Sequence, residues 1–369
     1  MEKYPIEVFI FQLDIFPSLS GRFEGVYHFA PHMTGAISVQ TCSRCDHLAV
    51  IHQIYSGQHL CHHHLSKSIR RRVSKALRRQ LVLPSNANDE DGNPSVILVC
   101  ISGGKDSAVL LDMMVNIIGA RRDVELVCGC VDEGIEGYRS PSMECARELA
   151  ESHGLRFETI AYPELGFEKM DAVVNAMPLM GENHSEAKGM KPCSYCGVFR
   201  RQGLNALAER IGARWMALGH NLDDTAQSIL MNLQKGEMER IIRLAPHTDV
   251  QLDELTPRIV PLRWVPEREI HAYAIGAGLP IHHDDCPHAP GALRQKHRGH
   301  IAEMEAMNPG TMHGLLHSMD AIRALWASSE KPPESWKQGQ IQSCSECGEP
   351  ASQTICQACQ FKSWLAEVV

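Results

Sequence analysis

The sequence predicts an α/β protein with a doubly wound parallel sheet, flanked by amino-terminal and carboxy-terminal zinc-binding modules. Strand and helix patterns alternate from Ser95 to about Ala327, which is typical of a parallel sheet covered by helices on both faces. Cysteine pairs with the spacing of zinc ligands lie on both sides of that region, at 42–64 and 344–359.

The strands of the predicted sheet are short apolar runs bounded by turns. Val96–Ile101 is the first, and an apolar-periodic helix over Ala108–Ile118 follows it. The later predicted elements are the strands Val124–Val131, Leu155–Ala161, Trp215–Leu218 and Arg258–Leu262, and the helices Pro141–His153, Gly197–Ile211 and Leu222–Leu233. Ligands of such a sheet bind outside the carboxyl ends of the strands, so we expect the functional site there.

The turn after the first strand has the sequence SGGKDS over Ser102–Ser107. A strand, a glycine turn and a helix form the context that a phosphate-binding loop requires, because glycines allow close approach and the amides at the helix start face the anion. Lys105 adds a cation and Ser107 a hydroxyl donor. The Walker A pattern does not match, since Lys105 follows two glycines directly. The SGGxDS signature indicates an ATP pyrophosphatase of the PP-loop type; the alternative is a glycine turn without a ligand.

The composition limits the possible functions. The chain has 369 residues, 44% of them hydrophobic, a net charge of −8 and an isoelectric point of about 6.2. The whole chain is therefore not a polycation, and any RNA contact needs a local patch. No apolar run approaches the roughly 20 residues that span a bilayer, and no signal-peptide pattern occurs, so we expect a cytoplasmic protein without membrane contact. Fourteen cysteines then indicate metal sites rather than disulfides.

Four parts are expected along the chain. Residues 1–40 carry no motif and are either an extra strand pair or the product of a start codon placed too early. A cysteine/histidine module with a basic helix covers 41–83, the PP-loop domain covers 95–327, and a zinc ribbon covers 340–369. Turn-rich segments at 84–94 and 331–334 are the predicted linkers.

The basic helix combines an apolar stripe with a dense group of cations. Leu65, Ile69, Val73 and Leu77 recur every four residues, which predicts a helix with one buried side. The other side is either a solvated face or a surface for RNA. Its cations are Lys67, Arg70, Arg71, Arg72, Lys75, Arg78 and Arg79.

Two cysteine sets have the spacing of closed tetrahedral zinc sites. The carboxy-terminal set is Cys344, Cys347, Cys356 and Cys359, and the amino-terminal set is Cys42, Cys45, Cys61 and one of three histidines. The x2 spacing favours His64 over His62 and His63. Since all four ligands come from protein, both sites are predicted to be structural.

A third cysteine set lies inside the predicted α/β domain. Cys193 and Cys196 form a CxxC motif without a second pair, and Cys286 lies in a polar stretch far along the chain. One interpretation is a redox disulfide at a helix start. The other is a set of three thiolates that leaves one position of a zinc ion or an iron–sulfur cluster open for chemistry.

These motifs together resemble the tRNA 2-thiolation enzymes of the TtcA/TtuA superfamily. The resemblance lies in SGGKDS at 102–107, CSYCGVFRR at 193–201, GHNLDD at 219–224, and Cys286 with the basic stretch Arg294–Arg298. The flanking fingers separate this branch from the tRNA cytidine thiolases. CGVFRRQ at 196–202 is similar to the wobble-uridine subgroup of eukaryotic cytoplasmic and archaeal proteins, whereas ribothymidine-54 thiolases usually carry lysine where Arg200 stands.

The resemblance implies a PP-loop, HUP-like fold, ATP with Mg²⁺, two structural zinc ions, and a 4Fe–4S cluster on Cys193, Cys196 and Cys286 whose fourth iron is free to bind sulfide. The implied ATP-binding residues are Ser102, Gly103, Gly104, Lys105, Asp106, Ser107, Cys130, Val131, Gly219 and Asp224. The candidate catalytic residues are Lys105, Asp224 and Arg200, although Arg200 is equally interpretable as a surface cation.

The expected reaction activates the uridine O2 by adenylation and then replaces it with sulfur. The predicted partners are tRNA and a sulfur donor, either a ubiquitin-like thiocarboxylate carrier or sulfide, and the resemblance also allows a homodimer. The arginines expected to bind tRNA are Arg70, Arg71, Arg72, Arg78 and Arg79. The alternatives are the same chemistry at uridine 54, an amide-forming PP-loop ligase, and a zinc-ribbon RNA-binding scaffold without activity.

Overall fold

The computed structural model describes residues 40–81, 83–247, 255–291, 293–329 and 342–369. The prediction for the extension at 1–40 lies outside these ranges except for Gln40, and the prediction for the linker at 331–334 lies outside them entirely. Residues Gln40–Val369 form one compact unit. Among the described residues, no helix has both the length and the hydropathy that a bilayer crossing requires.

The centre of this unit is a five-stranded parallel sheet, which confirms the predicted doubly wound fold. Its strands are β3 (Ser95–Cys100), β4 (Val124–Asp132), β5 (Arg156–Ala161), β6 (Ala213–Ala217) and β7 (Arg258–Ile259). Their spatial order is β5-β4-β3-β6-β7, with every neighbouring pair parallel. The amino-terminal hairpin is β1 (Ile51–Gln53) and β2 (Gln58–Leu60), and the carboxy-terminal one is β8 (Gln342–Ser343) and β9 (Pro350–Ala351).

The chain order of these strands creates the crevice that holds the candidate site. The chain runs from β3 outward to β4 and β5, and then returns to place β6 on the other side of β3. This reversal is the switch point at which open α/β sheets bind ligands. Side chains on both faces of the central strands are buried, with Leu98 and Val99 on β3 and Val127 and Cys128 on β4 fully inaccessible, because helices cover both faces.

Eleven helices are described around the sheet and in the modules. They are α1 (His62–Gln80), α2 (Lys105–Ile118), α3 (Arg139–Ser152), α4 (Met170–Asn183), α5 (Pro192–Arg210), α6 (Leu222–Gln234), α7 (Met238–Ile242), α8 (Glu267–Gly276), α9 (Leu293–Met307), α10 (Thr311–Ser328) and α11 (Gln357–Ala366). α5 begins five residues before the predicted Gly197, with Pro192 in its first turn. Proline is favoured there because a backbone N–H at the start of a helix has no hydrogen-bond partner within the helix, so nothing is lost when proline lacks it.

The last predicted strand is shorter than expected. The sequence predicts Arg258–Leu262, but β7 ends at Ile259. The residue after Ile259 is Val260, and both of its backbone groups bind the buried side chain of Gln80. Gln80 Oε1 accepts from the Val260 N–H at 2.7 Å, and Gln80 Nε2 donates to the Val260 carbonyl at 3.3 Å. A side chain from α1 therefore makes the hydrogen bonds that a neighbouring strand would make if β7 continued through Val260.

Candidate active site and metal centres

The phosphate loop lies at the carboxyl end of β3, and its geometry demands glycine. Gly103 has φ of 88°, and a Cβ there would lie 1.8 Å from the carbonyl oxygen of Ser142. Opposite the loop, a Cβ on Gly219 would lie 3.3 Å from the backbone nitrogen of Ser107. The end of β6 and the start of α2 thus meet closely around the loop.

The loop is braced from within. The Ser107 hydroxyl accepts from the Ser102 amide at 3.0 Å and donates to the Gly104 carbonyl at 2.9 Å, so it supports the turn in addition to any contact with phosphate. Gly104 caps α2 without a side-chain hydrogen bond. The first amides of α2 therefore remain for an anionic ligand.

Lys105 is held among carboxylates at this helix start. Its Nζ lies 3.0 Å from Asp106 Oδ2 and 2.8 Å from Glu267 Oε1. Although burial opposes its charge, these two carboxylates hold the pKa of Lys105 above its usual value. The lysine is therefore a cation at neutral pH, as a group that stabilises phosphate charge must be.

Asn221 joins the loop to the start of α6. Its Nδ2 donates to Asp106 Oδ1 at 2.8 Å, and its Oδ1 accepts from the Asp224 amide at 2.9 Å. Arg294 of α9 donates to Asp224 Oδ1 at 3.0 Å. Asp224 and the phosphate loop thus belong to one hydrogen-bonded group.

A second pair of acidic residues lies beside this group. The Glu267 amide donates to Asp223 Oδ2 at 2.8 Å, and Arg298 pairs with Glu267 Oε2 at 3.0 Å. Burial, together with the charges of Glu267 and Asp224, raises the pKa of Asp223 to about 6. Carboxylates and cations alternate here, which suits an anion that arrives with a divalent cation.

Cys130 and Val131 are buried at the carboxyl end of β4, beyond the last pairing with β3. The guanidinium of Arg139 contacts both: its Nη2 donates to Cys130 Sγ at 2.8 Å and to the Val131 carbonyl. Its Nη1 donates to the Ser102 carbonyl at 3.0 Å. One arginine therefore joins the end of β4 to the phosphate loop.

Cys193, Cys196 and Cys286 share one neighbourhood. Cys193 is exposed, Cys196 is buried, and Cys286 packs against the core cluster that contains Cys196. Burial and then the Cys196 and Cys193 thiols raise the pKa of Cys286. The Cys196 sulfur also accepts hydrogen bonds from Arg200 Nη2 at 3.1 Å and from the Tyr162 hydroxyl at 3.6 Å.

Cys193, Cys196 and Cys286 form a looser group than the ligand atoms of the two terminal modules, which lie within 4.8 Å of one another in each module. Thiolates on separate irons of an iron–sulfur cluster are spaced by the body of the cluster. Hydrogen bonds to Cys196 Sγ are also typical of a cluster ligand.

The amino-terminal module brings three thiols to one imidazole. His64 Nδ1 lies 3.4 Å from the Sγ atoms of Cys42, Cys45 and Cys61. His62 instead stacks on Tyr273, with 5.6 Å between ring centroids. The His64 position that the spacing favoured is therefore the one that meets the thiols.

The carboxy-terminal module brings four thiols together. Cys347 and Cys356 sulfurs lie 3.6 Å apart, and the Cys344 sulfur accepts from the Cys356 amide at 3.2 Å. Cys359 completes the group. Although burial opposes it, the backbone amides of Cys356, Cys347 and Glu346 lower the pKa of Cys344 to about 6, which favours the thiolate that zinc binds.

The basic helix does not present all of its arginines to solvent. Arg71, Arg78 and Arg79 are exposed. Arg70 is exposed too, but donates to the Asn116 carbonyl at 3.0 Å. Arg72 differs from the sequence interpretation, because it turns inward, pairs with Glu269 and donates to the Trp264 carbonyl at 3.1 Å.

Three charged residues of this site were not predicted from the sequence. Glu133 and Arg139 are each 4% exposed, and Glu133 Oε1 pairs with Arg200 Nε at 3.1 Å. The available signal was position, since Glu133 directly follows β4 and points to the edge where the phosphate loop lies. Glu267 was missed as well, because it approaches Lys105 from a distant helix.

Comparison with known proteins decides the family. A PP-loop domain model matches residues 69–303. The chain is 34% identical over 331 residues to the tRNA 2-thiolation protein NcsA of Haloferax volcanii, covering 87% of this chain and 97% of that protein. This chain belongs to the PP-loop tRNA 2-thiolation protein family. The resemblance that the motifs predicted is thereby confirmed.

Other members of this PP-loop tRNA 2-thiolation family agree. Cytoplasmic tRNA 2-thiolation protein 1 of Mus musculus is 32% identical over 321 residues, covering 86% of this chain and 71% of that protein. The solved structure of the U34-tRNA thiolase NcsA from Methanococcus maripaludis, with its 4Fe–4S cluster, has a TM-score of 0.68 at 25% identity. The structural match covers 89% of this chain and 97% of the NcsA chain.

Proposed function

We propose that this protein is an ATP-dependent tRNA thiolase that replaces O2 of uridine 34 with sulfur. The observation that carries the proposal is the direct connection between a complete phosphate loop and a three-cysteine set, through Arg139, Glu133 and Arg200. Activation and sulfur chemistry can then act on one bound base. The tRNA thiolation activity of the two NcsA proteins supports the same conclusion.

The phosphate loop would bind ATP and promote adenylation of O2. The free amides of α2 and Lys105 would stabilise the charge that develops as pyrophosphate leaves. Asp224 would hold Mg²⁺ with the pyrophosphate or orient the base. The backbone at Cys130 and Val131 would contact adenine, and Gly219 would leave room for the nucleotide. Arg294 and Arg298 add cations to a site that receives a polyphosphate.

Cys193, Cys196 and Cys286 would hold the cluster. When bound, a 4Fe–4S cluster with one iron lacking a cysteine ligand supplies a Lewis-acidic position for sulfide. Hydrosulfide adds at C2, the C2–O bond breaks, AMP leaves with the oxygen, and the sulfur proton passes to solvent. Arg200, beside Cys196, would stabilise the charge on the departing AMP.

The remaining parts would fold the protein and bind RNA. The two terminal cysteine groups would hold structural zinc, and the exposed side of α1 would contact the tRNA backbone. The uridine must leave its stack, because its C2 edge is not reachable inside one. We also propose a cytoplasmic location and, as sulfur donor, a thiocarboxylate carrier or sulfide.

The test is an anaerobic reaction with tRNA, ATP and sulfide, with nucleosides mapped by mass spectrometry. We expect 2-thiouridine at position 34 with AMP and pyrophosphate as products. Cys286→Ser should abolish the product and lower the iron content while zinc stays bound, whereas Cys145→Ser on α3 should change neither. Full activity of Cys286→Ser, or release of ADP and phosphate, would overturn the proposal; product at position 54 would reassign the substrate.

A further inference from the structure

A buried carboxylate lies between two arginines at the end of β4. Glu133 Oε2 is 2.7 Å from Arg139 Nε, and Glu133 Oε1 is 3.1 Å from Arg200 Nε. Each carboxylate oxygen of Glu133 thus forms an ion pair with a different arginine. Glu133 and Arg139 are each only 4% exposed, so the attraction between them acts with little screening by water, whereas the attraction to Arg200 is screened on its solvent side.

The two arginines differ in how firmly they are held. Arg139 is buried and keeps further contacts with Ser102, Cys130, Val131 and the Ser142 hydroxyl. The Arg200 side chain is 48% exposed. Apart from the ion pair with Glu133, the polar contact of Arg200 in the described structure is its hydrogen bond to the Cys196 sulfur. Removing the Glu133 charge would therefore release Arg200 far more than Arg139.

The two arginines also face different halves of the site. Arg139 contacts the carbonyls of Ser102 and Val131, which line the predicted nucleotide position. Arg200 contacts the sulfur of Cys196. Glu133 is thus the one carboxylate of the described residues seen to pair with both arginines.

We infer that Glu133 is a positioning residue that holds Arg200 between the activated uridine and the cysteine site, with Arg139 as its anchor on the nucleotide side. This inference rests on the proposed function and adds a residue to it. Adenylation depends on the loop, which keeps its other contacts. Sulfur transfer depends on a correctly placed Arg200, and a displacement of about 1 Å can cost about 100-fold in rate.

The variant Glu133→Gln tests this inference because it keeps the shape and removes the charge. We expect 2-thiouridine formed per pyrophosphate released to fall at least tenfold, with iron content unchanged. The Kd for ATP, measured calorimetrically on iron-free protein, should stay within twofold. The matched control is Glu136→Gln, an exposed glutamate in the same loop, which should match the wild type in all three measurements.

Arg200→Gln provides a second route, since its half-exposed side chain tolerates replacement. It should lower the same ratio, and the double variant with Glu133→Gln should be no worse than Arg200→Gln alone, because both act through one contact. An unchanged ratio in both single variants, or additive losses in the double variant, would overturn the inference. A wild-type protein that forms no 2-thiouridine would instead contradict the proposed function.

Discussion

The half-buried Arg72 of α1 forms an ion pair with the buried Glu269 of α8. Glu269 also accepts from Gln53 Nε2 at 3.0 Å and from the Tyr55 hydroxyl at 2.7 Å. One carboxylate of the α/β domain therefore collects three donors from the amino-terminal module. The contact makes Arg72 a residue that joins the two parts.

We predict that Arg72→Met destabilises the protein by about 3 kcal/mol or more, because it leaves the buried Glu269 without its cation. Arg71→Met, on the exposed side of the same helix, should change the free energy of unfolding by no more than about 0.5 kcal/mol. Urea unfolding of both variants measures this. Equal stability of the two variants would mean that the ion pair contributes nothing.

The exposed cations of α1 are predicted to bind the tRNA backbone. Replacing Arg71, Lys75 and Arg78 with alanine should weaken tRNA binding roughly tenfold or more and flatten its salt dependence, since each lost phosphate contact lowers the slope. ATP binding should not change. Fluorescence anisotropy across a salt series measures the affinity and the salt dependence, and the triple variant keeps the inward-facing Arg72.

The matched control removes the same charge from exposed positions elsewhere, at Arg122, Lys188 and Lys235. If both triple variants lose affinity equally, the effect belongs to net charge. If neither does, the α1 cations are a solvated face, and the Arg294–Arg298 stretch becomes the next surface to test.

Loss of the carboxy-terminal metal is predicted to reach the three-cysteine site. Phe361 of α11 packs on Tyr195 and Phe199 of α5, with ring centroids 4.4 Å and 6.1 Å apart. α5 also carries Cys193 and Cys196. Cys356→Ser should therefore lower the zinc content by one ion and also reduce iron loading, as measured by elemental analysis.

Cys145→Ser, on α3 and outside the cysteine groups, should keep both metals. Normal iron in a Cys356→Ser protein that has lost zinc would show that the packing of α11 is not needed to shape the start of α5.

The raised pKa of Asp223 predicts that the free energy of unfolding decreases as the pH rises. Burial and nearby carboxylates bring its pKa to about 6, against about 4 for an ordinary aspartate. The folded protein thus holds more protons than the unfolded chain between these values, and the free energy of unfolding decreases as the pH rises through them. Asp223→Asn should be more stable than wild type above pH 6, by up to about 3 kcal/mol. The difference should vanish below about pH 4; a constant difference across the range would contradict this.

Most of the correct predictions came from residues that lie close together in the sequence. The phosphate loop, the two zinc-ligand sets and the order of strands and helices depend on residues close together in the chain, where periodicity and turn chemistry act directly. The same holds for the apolar stripe of α1, whose Leu65, Ile69, Val73 and Leu77 are all buried.

Sequence by itself determined the fold class, the nucleotide loop, the cysteine sets and the family resemblance. Tertiary structure decided which side chains meet across long separations: Arg72 with Glu269, Lys105 with Glu267, and Glu133 with Arg200. Such pairs have no local signature, because a buried charge is placed by whatever partner the packed helices bring to it. For that reason the motifs identified the parts of the site, whereas their connection through Glu133 became visible only in the folded chain.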